Sequence, residues 1–222
     1  MRHDQTDGEH DGPHRKPDLQ ARRTHFGSRF AAAEKVSGPG ANDRSTMATR
    51  IAAISPEDYT EVQAAAVADA LGGRGFLPSP FQIWLHSPAL AERIGALGTY
   101  LTTSSTLSKR EYEIAVVVVA RRLNSPYVYE AHLRGAEKAG NPPEVIAALR
   151  DGRVPEFATD RERAVYEIAA TSDDPEPAAD AIFDAAVAAL GRDGLADLLG
   201  LIGYYTAVGV AMKLHQVPPG ER

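Results

Sequence analysis

From residue 55 to residue 214 the apolar positions recur three and four apart, and the breaks between them fall at Gly, Pro and Ser. Ser55-Pro56-Glu57-Asp58 supplies an N-cap, a proline at the first helical position and early acids. Tyr59, Val62, Ala66 and Ala70 follow at helical spacing, so a helix is predicted from there to a stop at Gly72-Gly73. After a Gly/Pro loop, Phe81 to His86 reads as a short helix. Ser87-Pro88 caps a longer one, whose Leu90, Ile94, Leu97 and Leu101 form one stripe.

Ser108-Lys109-Arg110-Glu111 is a capping box and predicts another helix start. The segment that follows, Ile114 to Val119, reads two ways. Its four consecutive valines favour a buried strand by propensity, whereas the cap and the length to Leu123 favour a helix. Ser125-Pro126 repeats the N-cap pattern and Gly140 closes that segment; Pro142-Pro143 opens the next, to about Arg150. Thr159 to Ala170, Glu176 to Leu190 and Gly194 to Leu214 complete the series, the last with Leu198, Leu201, Ile202, Tyr205 and Val208 on its apolar face. No hairpin signal interrupts the pattern, so the class is all-α, with about eight or nine helices.

Composition divides the chain in two. Residues 1–46 are rich in Gly, Pro, Asp, His and Arg, lack apolar periodicity and read as a disordered N-terminal extension; residues 47–222 form the helical domain. Met47 is a candidate native start. The extension holds eight basic and seven acidic residues, which leaves sixteen and twenty-three for the remainder, a net charge of -7. An acidic chain is a poor general binder of nucleic acid. The irregular spacing of His3, His10, His14 and His25 fixes no metal geometry, and no metal or cofactor is expected. No uninterrupted apolar run approaches the roughly 20 residues of a membrane span, and the first residues have no secretory pattern, so the expectation is a cytoplasmic protein with no membrane partner. The chain has no cysteine, which removes disulfides, thiolate metal sites and thiol nucleophiles together.

The order of features from Leu107 to Ala148 resembles the core of the carboxymuconolactone decarboxylase family: a Leu, a basic turn, a Glu, an apolar helix, a second helix containing His132, then Ala, Gly and a short helix. Phe81 to Pro88, with His86-Ser87-Pro88, and Gly203-Tyr204-Tyr205 through Val217-Pro218 resemble its flanking segments, so the likeness runs from about Pro78 to Pro218. The resemblance implies an alkylhydroperoxidase D-like helical domain that assembles into homo-oligomers, trimers or hexamers. In alkylhydroperoxidase D the working motif is Glu, eleven residues, Cys, two residues, Cys, three residues, His. Anchored on His132, it places the Glu at Glu113 and the two cysteines at Ser125 and Val128. A serine and a valine cannot cycle through sulfenate and disulfide, so thiol peroxidase chemistry is excluded. Cysteine-free relatives carry Tyr-Glu-Trp, two further residues, then His; here Tyr127-Val128-Tyr129-Glu130-Ala131-His132 puts Val128 and Tyr129 in place of the Glu and Trp. Glu130 lies on a different helix face and does not substitute.

The catalytic candidates are His132, Glu113 and Tyr129; the substrate-binding candidates are Ser125, Tyr127, His86 and Tyr205. His132 suits proton transfer near neutral pH or, equally, a satisfied core position. Glu113, inside an apolar helix, orients His132 or forms a structural pair with it or with an Arg. Tyr127, Tyr129, Tyr204 and Tyr205 can donate to an oxyanion or belong to the core, and His86 binds substrate or packs against the next helix. Two functions fit. The first is a cofactor-independent lyase or isomerase resembling carboxymuconolactone decarboxylase, acting on a small carboxylated lactone or cyclic acid, with Tyr129 holding an enolate and His132 returning a proton to carbon. The second is a non-catalytic binding or assembly protein on the same helices.

Overall fold

Eight helices and one 3-10 turn make up the regular structure of residues 50, 52–71 and 79–217, which a computed structural model describes. The turn, Pro56–Asp58, precedes α1 (Glu61–Leu71), α2 (Ser79–Trp84), α3 (Pro88–Thr103) and α4 (Lys109–Arg122). Then follow α5 (Pro126–Lys138), α6 (Pro143–Asp151), α7 (Asp160–Thr171) and α8 (Asp180–Leu214). There is no strand among the described residues, so the class is all-α as read from the sequence. The extension over 1–46, Met47, the Gly72-Gly73 stop and Pro218 lie outside the described residues.

The ambiguous valine segment is helical and begins at the capping box. Ser108 Oγ accepts from the Glu111 N–H at 3.2 Å, and Glu111 Oε2 accepts from the Ser108 N–H at 2.8 Å. The helical penalty of a valine is at most about 0.7 kcal/mol, so four together exceed what one cap contributes, and burial around α4 makes up the difference. Helix α4 is the centre of the fold: every residue from Glu111 to Ala120 is buried, with α5, α7 and α8 around it. Two ion pairs tie it to α7, Arg110 to Glu162 at 2.7 Å and Glu111 to Arg161 at 2.8 Å. A smaller apolar cluster joins α1, α2 and α3 through Ala66, Ala70, Phe81, Leu85 and Ala91.

Several boundaries and faces differ from the sequence reading. The first helix does not start at Pro56. Tyr59 is extended after the 3-10 turn, and α1 begins at a second capping box, in which Gln63 Oε1 accepts from the Thr60 N–H at 2.9 Å and Thr60 Oγ1 from the Gln63 N–H at 3.3 Å. On α3 the stripe is rotated: Leu90 and Leu97 are 43% and 40% exposed, and Ala91, Gly98 and Leu101 face inward. Small residues are needed there because aromatic rings fill the space. A Cβ on Gly98 would lie 2.6 Å from the Tyr204 hydroxyl, and one on Gly95 would lie 3.1 Å from the Phe81 ring. The Glu176 start moves to Asp180, since Pro177 biases Glu176 away from helix. The two last predicted helices run on as α8, broken at Gly191, whose φ of 72° a residue with a side chain would adopt under strain. By length and composition alone α8 could cross a bilayer, but 56% of its apolar 18-residue stretch is buried, and α8 packs against α3, α4, α5 and α7.

Candidate acid–base site

Glu113 sits two residues beyond the capping glutamate of α4, on the side facing α5, and its side chain is only 4% exposed. A carboxylate placed there must find partners, and each oxygen has one. Oε2 lies 2.7 Å from His132 Nδ1, and Oε1 lies 3.0 Å from Lys109 Nζ. Burial alone pushes the Glu113 carboxyl upward. The hydrogen bond and charge of His132, with those of Lys109, outweigh it and hold the group below its ordinary value. As an ionised acceptor it takes a hydrogen bond from His132 Nδ1, which fixes a ring proton there and leaves Nε2 on the far side of the ring.

The backbone makes room for this pair. A Cβ on Gly135, one turn of α5 beyond His132, would lie 2.6 Å from Glu113 Oε2 and 2.8 Å from Oε1. Helix α8 closes the other side. The Tyr205 ring meets His132 edge-on with centroids 4.8 Å apart, and the Tyr205 and Tyr112 hydroxyls share a 2.6 Å hydrogen bond. Tyr112 lies 6.1 Å from the His132 ring and carries Lys109 Nζ 4.5 Å from its centroid. Burial, then the Tyr112 neighbour, raises the Tyr205 hydroxyl well above its ordinary value, so it remains a protonated donor.

The sequence candidates therefore separate. Glu113, His132 and Tyr205 come together. Tyr129 does not join them: its hydroxyl points toward the carbonyls of Leu149 and Arg150 at the end of α6, at 3.4 and 3.5 Å. On α5 it lies about 60° around the helix from His132, enough to face another neighbour. Ser125 occupies the N-cap position of α5 but makes no cap; its Oγ is buried beside Gly209 of α8 and has no hydrogen-bond partner among the described residues. Tyr127 is half-buried near the start of α5. His86 is exposed, with Nε2 3.4 Å from the Ala52 carbonyl. Lys109, Tyr112 and Gly135 were not singled out from the sequence. The Lys109–Glu113 spacing of four was the available signal for the first. No three His, Asp or Glu side chains converge as a metal site among the described residues; Glu113 and His132 are two.

The profile of the carboxymuconolactone decarboxylase family matches residues 88–171, the segment that contains α3 to α7 and both members of the pair. No curated protein matches the sequence. Among solved structures, the debrominase Bmp8 is 14% identical, with a TM-score of 0.64 over 79% of this chain and 94% of its own. An uncharacterised peroxidase-related protein from Silicibacter sp. TM1040 is 16% identical, with a TM-score of 0.61 over 80% of this chain and 94% of its own. A protein of unknown function from Agrobacterium tumefaciens, a candidate AhpD of antioxidant defence, is 15% identical, with a TM-score of 0.51 over 63% of this chain and 96% of its own. The chain thus carries a segment similar to the carboxymuconolactone decarboxylase family profile and shares the helical fold of these AhpD-like structures, without a cysteine.

Proposed function

We propose that the Glu113–His132 site moves a proton at carbon in a small carboxylated lactone or cyclic acid, making the protein a cofactor-independent lyase or isomerase. The observation that carries this reading is the 2.7 Å contact between a buried, ionised carboxylate and His132 Nδ1. That contact orients the ring and stabilises the imidazolium when Nε2 takes a proton. In a decarboxylation, the bond to the departing carboxylate breaks and its electron pair passes into an adjacent carbonyl as an enolate. His132 takes a proton from solvent on Nε2, gives it to the carbon and returns to the neutral ring. The enolate oxygen needs a donor, and the hydroxyls beside His132 are those of Tyr112 and Tyr205 rather than Tyr129.

A small ring as substrate is supported by a fold neighbour: a cysteine-to-alanine variant of Bmp8 has been crystallised with 2,3,4-tribromopyrrole. No thiol step is available to this chain. The cytoplasm as location, and a homo-oligomer as working form, belong to the same proposal. Purified protein is incubated with the carboxylated muconolactone in deuterium oxide. Release of CO2 with one deuterium bound to carbon in the product is expected; no CO2 release would remove the lactone as substrate.

A further inference from the structure

We propose that Lys109 is a positioning residue for the Glu113–His132 pair: it supplies the countercharge of the buried carboxylate, which leaves His132 free to stand as a neutral ring with an acceptor at Nε2. This deepens the acid–base reading above and rests on it.

The contacts divide the work between the two oxygens of Glu113. Lys109 Nζ is 3.0 Å from Oε1, while His132 Nδ1 is 2.7 Å from Oε2. The ammonium is held at a second point, 4.5 Å from the centroid of the Tyr112 ring. An exposed lysine and glutamate four residues apart on a helix contribute little to each other. This pair is not of that kind, because the Glu113 side chain is 4% exposed and that of Lys109 is 60% exposed. The charge out of water is the carboxylate, and its compensation reaches in from the surface. Lys109 and Tyr112 on α4, His132 on α5 and Tyr205 on α8 face the carboxylate or lie against its partner. Of these four, Lys109 alone carries a positive charge at neutral pH whatever the state of the others.

Without Lys109 the buried carboxylate has two ways to be compensated. It can hold a second proton on His132, making an imidazolium in which Nε2 is a donor. Or it can take a proton itself and donate it to Nδ1, which moves the ring proton to Nε2. Both outcomes remove the acceptor at Nε2. Arginine at 109 would keep the charge and the reach; methionine or glutamine would keep most of the stem alone.

Multiple-bond 1H–15N spectra of the imidazoles, recorded on the ligand-free full-length chain at neutral pH, test this directly. His132 is assigned by the signal lost in His132→Ala. The wild type is expected to show two widely separated ring-nitrogen shifts, those of a neutral ring protonated at Nδ1. Lys109→Met is expected to lose that pattern, either by convergence of the two shifts or by their exchange, and Lys109→Arg to retain it. Lys109→Gln serves if the Met variant does not fold, as judged by helical circular dichroism. An unchanged pattern in folded Lys109→Met or Lys109→Gln, or an imidazolium pattern already in the wild type, would overturn the proposal. The spectra need no substrate, so a lactone that is not turned over would count against the lyase reading and leave this result intact.

Discussion

Gly135 and Glu113 are fitted to each other where α4 crosses α5: the carboxylate fills the space that a side chain at residue 135 would take, with Oε2 2.6 Å from where its Cβ would stand. Glycine inside a helix is normally less stable than alanine by about 1 kcal/mol. Here the sign reverses. Gly135→Ala is expected to destabilise the protein by about 1–3 kcal/mol through overpacking and to part Glu113 from His132. Urea denaturation with an unchanged slope measures the first. A variant more stable than the wild type would mean that the carboxylate moves aside at no cost.

Removing either end of the Lys109–Glu113 pair has unequal consequences. Glu113→Gln deletes the buried charge and leaves an exposed ammonium, for which a cost under about 1 kcal/mol is expected. Lys109→Met leaves the buried carboxylate one partner short. The cost of orphaning a fully buried charge, about 3–5 kcal/mol, is reduced because Lys109 is largely in water, so about 2 kcal/mol is expected. Equal losses in chemical denaturation would contradict this asymmetry.

Ser125 is expected to be replaceable with profit to stability. A buried hydroxyl without a partner costs about 1–3 kcal/mol, while its removal leaves only a small void. Ser125→Ala should raise stability by roughly 1 kcal/mol, which a shift of Tm in calorimetry would register. A fall in Tm would mean that the hydroxyl is bonded in solution.

Stability should depend on pH on both sides of neutrality. Glu111, Glu113 and Asp197 all have lowered values in the fold; in each, burial acts upward and hydrogen bonds with neighbouring donors outweigh it. Such groups bind fewer protons folded than unfolded. Their stabilisation is complete above the ordinary 4.5 of the glutamates and 3.8 of the aspartate, and is lost as pH falls through the lowered values. Glu167, raised by burial, acts in the opposite sense and is one against three. On the alkaline side, burial raises Tyr205 well above 10.0 and Tyr166 to about 12. Their contribution is intact below 10 and is lost as pH rises through the raised values. Denaturation midpoints flat from pH 3 to pH 11 would contradict both limbs.

The sequence made the helices legible where the signal is local. The capping box at Ser108 marks the first turn of α4, and the four valines stay helical because their burial among α5, α7 and α8 outweighs strand propensity. Glu113 and His132 were legible through the motif that the family resemblance implies, and they meet. What escaped depends on how helices cross. Whether Tyr129 or Tyr112 stands beside His132 is set by the rotation of α4 and α5 about their axes, and the inward face of α3 is set by the Phe81 and Tyr204 rings that fill its glycines. Thr60 and Gln63 were a readable start signal, concealed by the stronger Ser55-Pro56 pattern five residues earlier.

Turnover by His132→Ala, compared with the wild type on the carboxylated muconolactone in deuterium oxide, tests the acid–base reading most directly. A positioned acid or base contributes typically 10²–10⁴-fold, so the variant is expected to lose about a hundredfold or more of the CO2 release and deuterium incorporation while its helical circular dichroism is unchanged. Wild-type turnover in a folded His132→Ala protein would contradict the account.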